Sequence, residues 1–168
     1  MEGARLYLMG GRKSRNKGAN FERAIAKRLR EWLGEDWTVK RNPTDRQNGV
    51  AGAGEFELVG PFPFPFAIEC KAHESFDYSQ LFRRPLTGPL SGFWSQAMSQ
   101  AQSCGKRPLL LLKRNNGPIL AVAEIDTLRG AGILAESSCV MRLYDLGCCV
   151  FPADDLFDTC PEVLYEVG

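Results

Sequence analysis

With 168 residues, of which 44% are hydrophobic and 24% charged, the chain can bury one core and is too apolar to be disordered. It has no run of about 18 apolar residues and no apolar leader of secretory form, so no membrane span is expected and the cytosol is the expected location. The net charge of +1 hides a gradient: residues 1–50 carry 12 Lys and Arg against 6 Asp and Glu, whereas residues 115–168 carry 2 against 9, so a basic front end suits a polyanionic partner.

Residues 1–16 read as a flexible basic arm, with Gly10-Gly11 followed by Arg12, Lys13 and Arg15, and Lys17 continues the charge. Residues 20–33 have the spacing of an amphipathic helix. Phe21, Ala24, Ile25, Leu29, Trp32 and Leu33 form its apolar side, Asn20 is a plausible cap and Gly34 a stop. Glu22 lies at the edge of that stripe. Residues 37–41 predict a short strand ending on Arg41. A polar loop containing Arg46, Gly49, Gly52 and Gly54 follows.

The chain is organised around residues 55–71. At period two Glu55 and Glu57 share one face of a strand, and Glu69 and Lys71 share one face of the next. A short connection would let these strands pair antiparallel and bring Glu57, Glu69 and Lys71 together. Carboxylates that converge repel unless a divalent cation neutralises them. A lysine beside them suits a charged phosphate or an attacking water, which is the chemistry of metal-assisted phosphodiester hydrolysis. Between the strands, Pro61, Pro63 and Pro65 alternate with Phe62, Phe64 and Phe66. Prolines lack the donor a ladder needs, so this stretch predicts an extended connection with three phenylalanines to hide.

Downstream, residues 83–92 read as a loop carrying Arg83 and Arg84. Residues 93–103 predict a second helix closed by Gly105, with Trp94, Ala97, Met98 and Ala101 inward and Gln96 and Gln100 one turn apart. Residues 108–113 and 119–125 predict two strands around the turn Asn115-Asn116-Gly117. Short strands are expected near 138–143 and 147–151. The six cysteines show no C-x-x-C spacing, and His73 is the lone histidine, so reduced and mostly buried thiols are expected rather than a zinc site.

Glu69-Cys70-Lys71 behind Phe66-Ala67-Ile68 resembles the E-x-K half of the PD-(D/E)XK nuclease superfamily. Glu57 takes the place of the first acid, where that superfamily usually has Asp, and Glu55 is its rival. Lys17-Gly18-Ala19-Asn20-Phe21-Glu22 resembles the K-G-x-x-x-E motif, and the Gln96/Gln100 helix resembles the one after E-x-K, in archaeal-type and phage Holliday-junction resolvases. The resemblance implies an α/β, restriction-endonuclease-like αβββαβ core over residues 17–126, with a central mixed sheet flanked by helices. Residues 127–168 would be a small acidic extension packed on that core. It further implies a Mg²⁺-dependent endonuclease (Mn²⁺ able to substitute) that cuts branched DNA as a homodimer without a small-molecule cofactor. Glu57, Glu69 and Glu22 would serve the metal, with the Ile68 or Cys70 carbonyl as an extra ligand. Lys71 would orient the attacking water, supported by Glu55, Gln96 and Gln100. Arg12, Lys13, Arg15, Lys17, Arg41, Arg46, Arg83 and Arg84 would contact DNA. A restriction or repair nuclease and an inactive DNA-binding module on the same fold are the alternatives.

Overall fold

A computed structural model describes residues 3–42, 54–74, 76–83, 86, 88–130 and 141–163, with side chains described from residue 16 onward. Helix α1 runs Gly3–Leu33. The helix expected over 20–33 therefore starts far upstream, and the backbone of the segment read as an arm continues it. Once Ile25, Leu29 and Leu33 are buried against the sheet, each further residue adds a hydrogen bond without a new nucleation cost. Gly34 ends the helix in the left-handed region, at φ 86°.

Strand β1 (Thr38–Arg41) pairs antiparallel with β2 (Phe56–Val59), placing Lys40 opposite Glu57. The expected antiparallel hairpin between β2 and the next strand, β3 (Phe66–Ala72), does not form. The three intervening prolines cannot feed such a ladder, and β3 pairs parallel with β4 (Arg107–Lys113) instead. Among the described residues Gly54 alone makes an isolated bridge to β3, at Ile68 and in parallel sense. Phe64 and Phe66 are buried as expected, with Phe64 wedged edge-on between Trp32 and Trp37, while Phe62 remains exposed.

The main sheet is mixed, in the order β3-β4-β5-β7-β6, where β5 is Ile119–Glu124, β6 is Met141–Leu143 and β7 is Cys148–Pro152. The C-terminal region thus supplies two strands of the sheet, β7 and the edge strand β6. Alternation sorts the core into two layers. Ile68, Cys70, Leu109, Leu111, Ala121 and Phe151 meet α1, whereas Leu110, Leu112, Val122 and Val150 meet helix α2 (Pro89–Ser103). Strand β3 carries the near-continuous apolar run of a strand covered on both sides.

Helix α2 spans Pro89–Ser103, four residues longer at its start than expected, because proline is tolerated at the first helical position. It buries Leu90, Trp94, Ala97 and Ala101, but Met98, expected inward, is 39% exposed on the flank of that narrow stripe. The β4–β5 turn is the expected one, with Asn116 at φ 57°. The five described cysteines are free; Cys139 lies outside the described residues. No helix among the described residues is long and apolar enough to cross a membrane.

Candidate active site at the free edge of β3

Period two along β3 sends Glu69 and Lys71 to the α2 side and Ile68 and Cys70 to the α1 side. Glu69 is 1% exposed. A carboxylate that deep in the protein is tolerated only with partners. Its Oε1 has two: Lys71 Nζ at 2.5 Å and Gln96 Nε2 at 2.9 Å. Its Oε2 is equally buried and has no hydrogen-bond partner. One turn further along α2, the Gln100 Oε1 is also buried without a partner. Lys71 Nζ lies 5.9 Å from the centre of the Phe93 ring, which also stacks near the exposed His73 at 5.3 Å.

The other side of the site is built from irregular backbone. Gly54 takes φ 81°, and a Cβ there would sit 2.5 Å from the Ile68 carbonyl oxygen. Only glycine lets the chain approach β3 this closely. The next residue then donates its N–H to that carbonyl, Glu55 N to Ile68 O at 2.7 Å. Asn42 clamps the kink from the β1 side: its N–H donates to Glu55 O at 2.9 Å and its Nδ2 to Gly54 O at 2.9 Å. Sequence reasoning missed Asn42 altogether. It noted the loop glycines without seeing that Gly54 serves the approach to β3.

Glu22 reaches the same edge from α1, where it is ion-paired with Arg41 of β1. The buried Cys70 thiol, on the α1 side of β3, feels these charges. Its pKa is pushed well above the usual value by burial first, then by the Glu55, Glu69 and Glu22 carboxylates, with Lys71 opposing. The structure thus joins Glu69, Lys71 and Gln96 directly, ties the Glu55 backbone to β3 at Ile68, and holds Glu22 on Arg41 of the neighbouring β1. It does not bring Glu57 there: that side chain is exposed on the outer face of the β1–β2 ladder, across from Lys40. The kink at Gly54 leaves Glu55 outside β2, so the period-two relation that would have kept Glu55 and Glu57 together does not apply.

Of the residues expected to touch DNA, Lys17 is ion-paired with Glu74, Arg41 with Glu22, and Arg83 is exposed after the turn of helix Tyr78–Phe82. The side chains of Arg12, Lys13 and Arg15, and the whole of Arg46 and Arg84, lie outside the described residues.

The donor set fits a hard divalent cation in part. Among the described residues no three His, Cys, Asp or Glu side chains form a ready-made cage. The buried, unpartnered Oε2 of Glu69 is nonetheless an anionic oxygen in need of a partner, and the neighbouring acids are oxygen donors of the type Mg²⁺ and Mn²⁺ take. The Ile68 carbonyl already accepts from Glu55 N.

No curated protein and no solved structure is significantly similar to the chain. Residues 13–141, most of the chain and all of the site, match the family described as "Phage putative PDDEXK endonuclease". With a mixed sheet, a buried E-x-K pair on β3 and helices on both faces, the chain belongs to this phage PD-(D/E)XK endonuclease family.

Proposed function

We propose that the protein is a Mg²⁺-dependent endonuclease that cuts branched DNA, resolving four-way junctions by paired nicks as a homodimer in the host cytosol. The observation that carries the reading is Glu69, a buried carboxylate with one oxygen held by Lys71 and Gln96 and the other unpartnered. Glu69 and Glu55 would hold the cation, with Glu22 assisting once Arg41 yields it. When bound, the cation neutralises the acids and polarises the phosphodiester. Lys71 Nζ, close to Glu69 Oε1, orients the attacking water and donates to the charge that develops on the phosphate. Gln96 fixes the Glu69 carboxylate, and Gln100 offers a neutral acceptor one turn away. The Lys17-Gly18 to Glu22 motif supports the junction-cutting form of the activity. One E-x-K site per chain can make two symmetric cuts at once only as a two-fold dimer.

The test is cleavage of labelled four-way junctions, flaps and linear duplex with Mg²⁺ and with EDTA, together with light scattering. Paired nicks in junctions by a dimer are expected, with duplex cut poorly. Equal cutting of duplex and junction, or a monomer even with DNA present, would remove the resolvase reading and leave a general nuclease of the same family.

A further inference from the structure

Around the C-terminal end of β3 from Glu69 and Lys71, on the opposite face of the sheet, α1 and the β4–β5 turn enclose a cleft of about 300 Å³. Lys17, Lys113 and Arg114 stand on its rim with Asn116, and Phe21 and Ala72 lie on its apolar floor. Ala72 directly follows Lys71, so the cleft and the active site share the end of one strand. Among the described residues neither Lys113 nor the Asn116 side chain has a hydrogen-bond or ion-pair partner. Lys17 and Asn115, on opposite walls, are both engaged by the Glu74 carboxylate: Lys17 as an ion pair, Asn115 Nδ2 as a donor at 3.0 Å. Glu74 thus occupies Lys17, a donor that a phosphate would use.

We propose that this cleft holds one unpaired nucleotide of the DNA strand, with its phosphate on Lys113 and Lys17 and its base over the floor. The inference rests on reading the protein as a DNA nuclease. A phosphate alone needs no apolar floor. Stacked, paired bases cannot enter a space at the lower end of small-ligand pockets. An unpaired nucleotide offers an anionic group for the rim, a flat apolar face for the floor and polar edges for the Asn116 amide. Flaps, gaps and locally opened branch points expose such nucleotides, so the cleft gives this chain a means of favouring branched DNA whose pairing is interrupted. Glu74 competes for Lys17 until the nucleotide displaces it.

The test is metal-free fluorescence anisotropy with a labelled single-stranded oligonucleotide and a fully paired duplex of equal length. Lys113→Met is expected to weaken single-strand binding roughly tenfold, to change duplex binding by less than about twofold, and to lower the single-strand salt slope by about 0.7. Asn116→Gly, which keeps the left-handed turn, should weaken single-strand binding a few-fold even if Lys113→Met folds poorly. Glu74→Gln should tighten it. Equal loss on both DNAs, no loss on either, or wild-type protein that does not bind single strands would overturn the proposal. Junction cleavage by the same wild-type sample with Mg²⁺ reports separately on the nuclease reading. Cutting without this binding pattern discards the cleft alone, and the pattern without cutting discards the nuclease alone.

Discussion

The two halves of the candidate active site are built in opposite ways. The β3–α2 half presents Glu69, Lys71 and Gln96 from a regular strand and a regular helix, and their contacts follow from period two and from one helical turn. The half formed by Glu55 and Glu22 depends on a kink at Gly54, an asparagine clamp and an ion pair to Arg41. The first half is buried and rigid, with one oxygen left wanting a partner. The second is only partly buried, with Glu55 placed by backbone geometry and Glu22 by its ion pair to Arg41. A site made this way can keep one carboxylate fixed while the other adjusts to cation and substrate.

If the β3–α2 half carries the chemistry, its loss should have the largest effect. Glu69→Gln or Lys71→Met is expected to lower Mg²⁺-dependent cleavage on the order of 10²–10³-fold while far-UV circular dichroism stays native. Near-wild-type cutting by a pure, folded Glu69→Gln sample would move the active site elsewhere. The kinked half is tested by comparing its two acids. Glu55→Gln is expected to lower cleavage roughly 10²-fold, since a displaced or missing group near the reacting centre has that scale of cost. Glu57→Gln, on the outer face of the β1–β2 ladder, should stay within a few-fold of wild type. The reverse outcome would restore Glu57 as the first acid and imply that the 54–57 segment rearranges when DNA binds.

The same contrast explains what the sequence made legible. Glu69, Lys71 and the Gln96 helix could be read because regular elements convert spacing into position. So could the Asn115-Asn116-Gly117 turn and the two late strands, now β6 and β7. The choice between Glu55 and Glu57 stayed open because it turns on where a strand begins. Gly54 and Asn42 act on backbone atoms of residues distant in sequence, and neither has a spacing signal. The hairpin between β2 and β3 was misread because adjacency in sequence was taken for pairing, although the prolines between them already argued against it. The start of α1 was hidden by Gly10-Gly11, whose local cost is outweighed by a helix already nucleated downstream.

Gly54→Ala sharpens the comparison without touching an acid. A side chain at φ 81° is strained, and its Cβ would press on the Ile68 carbonyl, which is backbone and cannot swing aside. A loss of ~1–3 kcal/mol in urea unfolding is expected. Cleavage should fall roughly tenfold as Glu55 moves off the β3 edge. Stability lost with full cleavage retained would separate the kink from the site.

The smallest effect expected concerns Cys70, the residue where the two halves meet. Burial, followed by the Glu55, Glu69 and Glu22 carboxylates, holds its thiol pKa well above the ordinary 9.0. In the unfolded chain that thiol ionises near 9.0; in the folded protein it keeps its proton. Its contribution to stability is therefore complete below pH 9 and is lost as pH climbs from 9 toward the folded value, because the unfolded state then binds fewer protons. One such thiol steepens the fall by about 1.4 kcal/mol per pH unit. Cys148, whose thiol is pushed up to about 12 mainly by burial, and Cys149, shifted in the same direction, add to the alkaline loss and persist in a Cys70 variant. Cys70→Ala should thus lose stability between pH 9 and 10.5 less steeply than wild type, by about that one-thiol slope, when urea midpoints are compared across the range. Parallel curves for the two proteins would mean that the thiol titrates alike folded and unfolded, and that the carboxylates of the two halves do not converge on it.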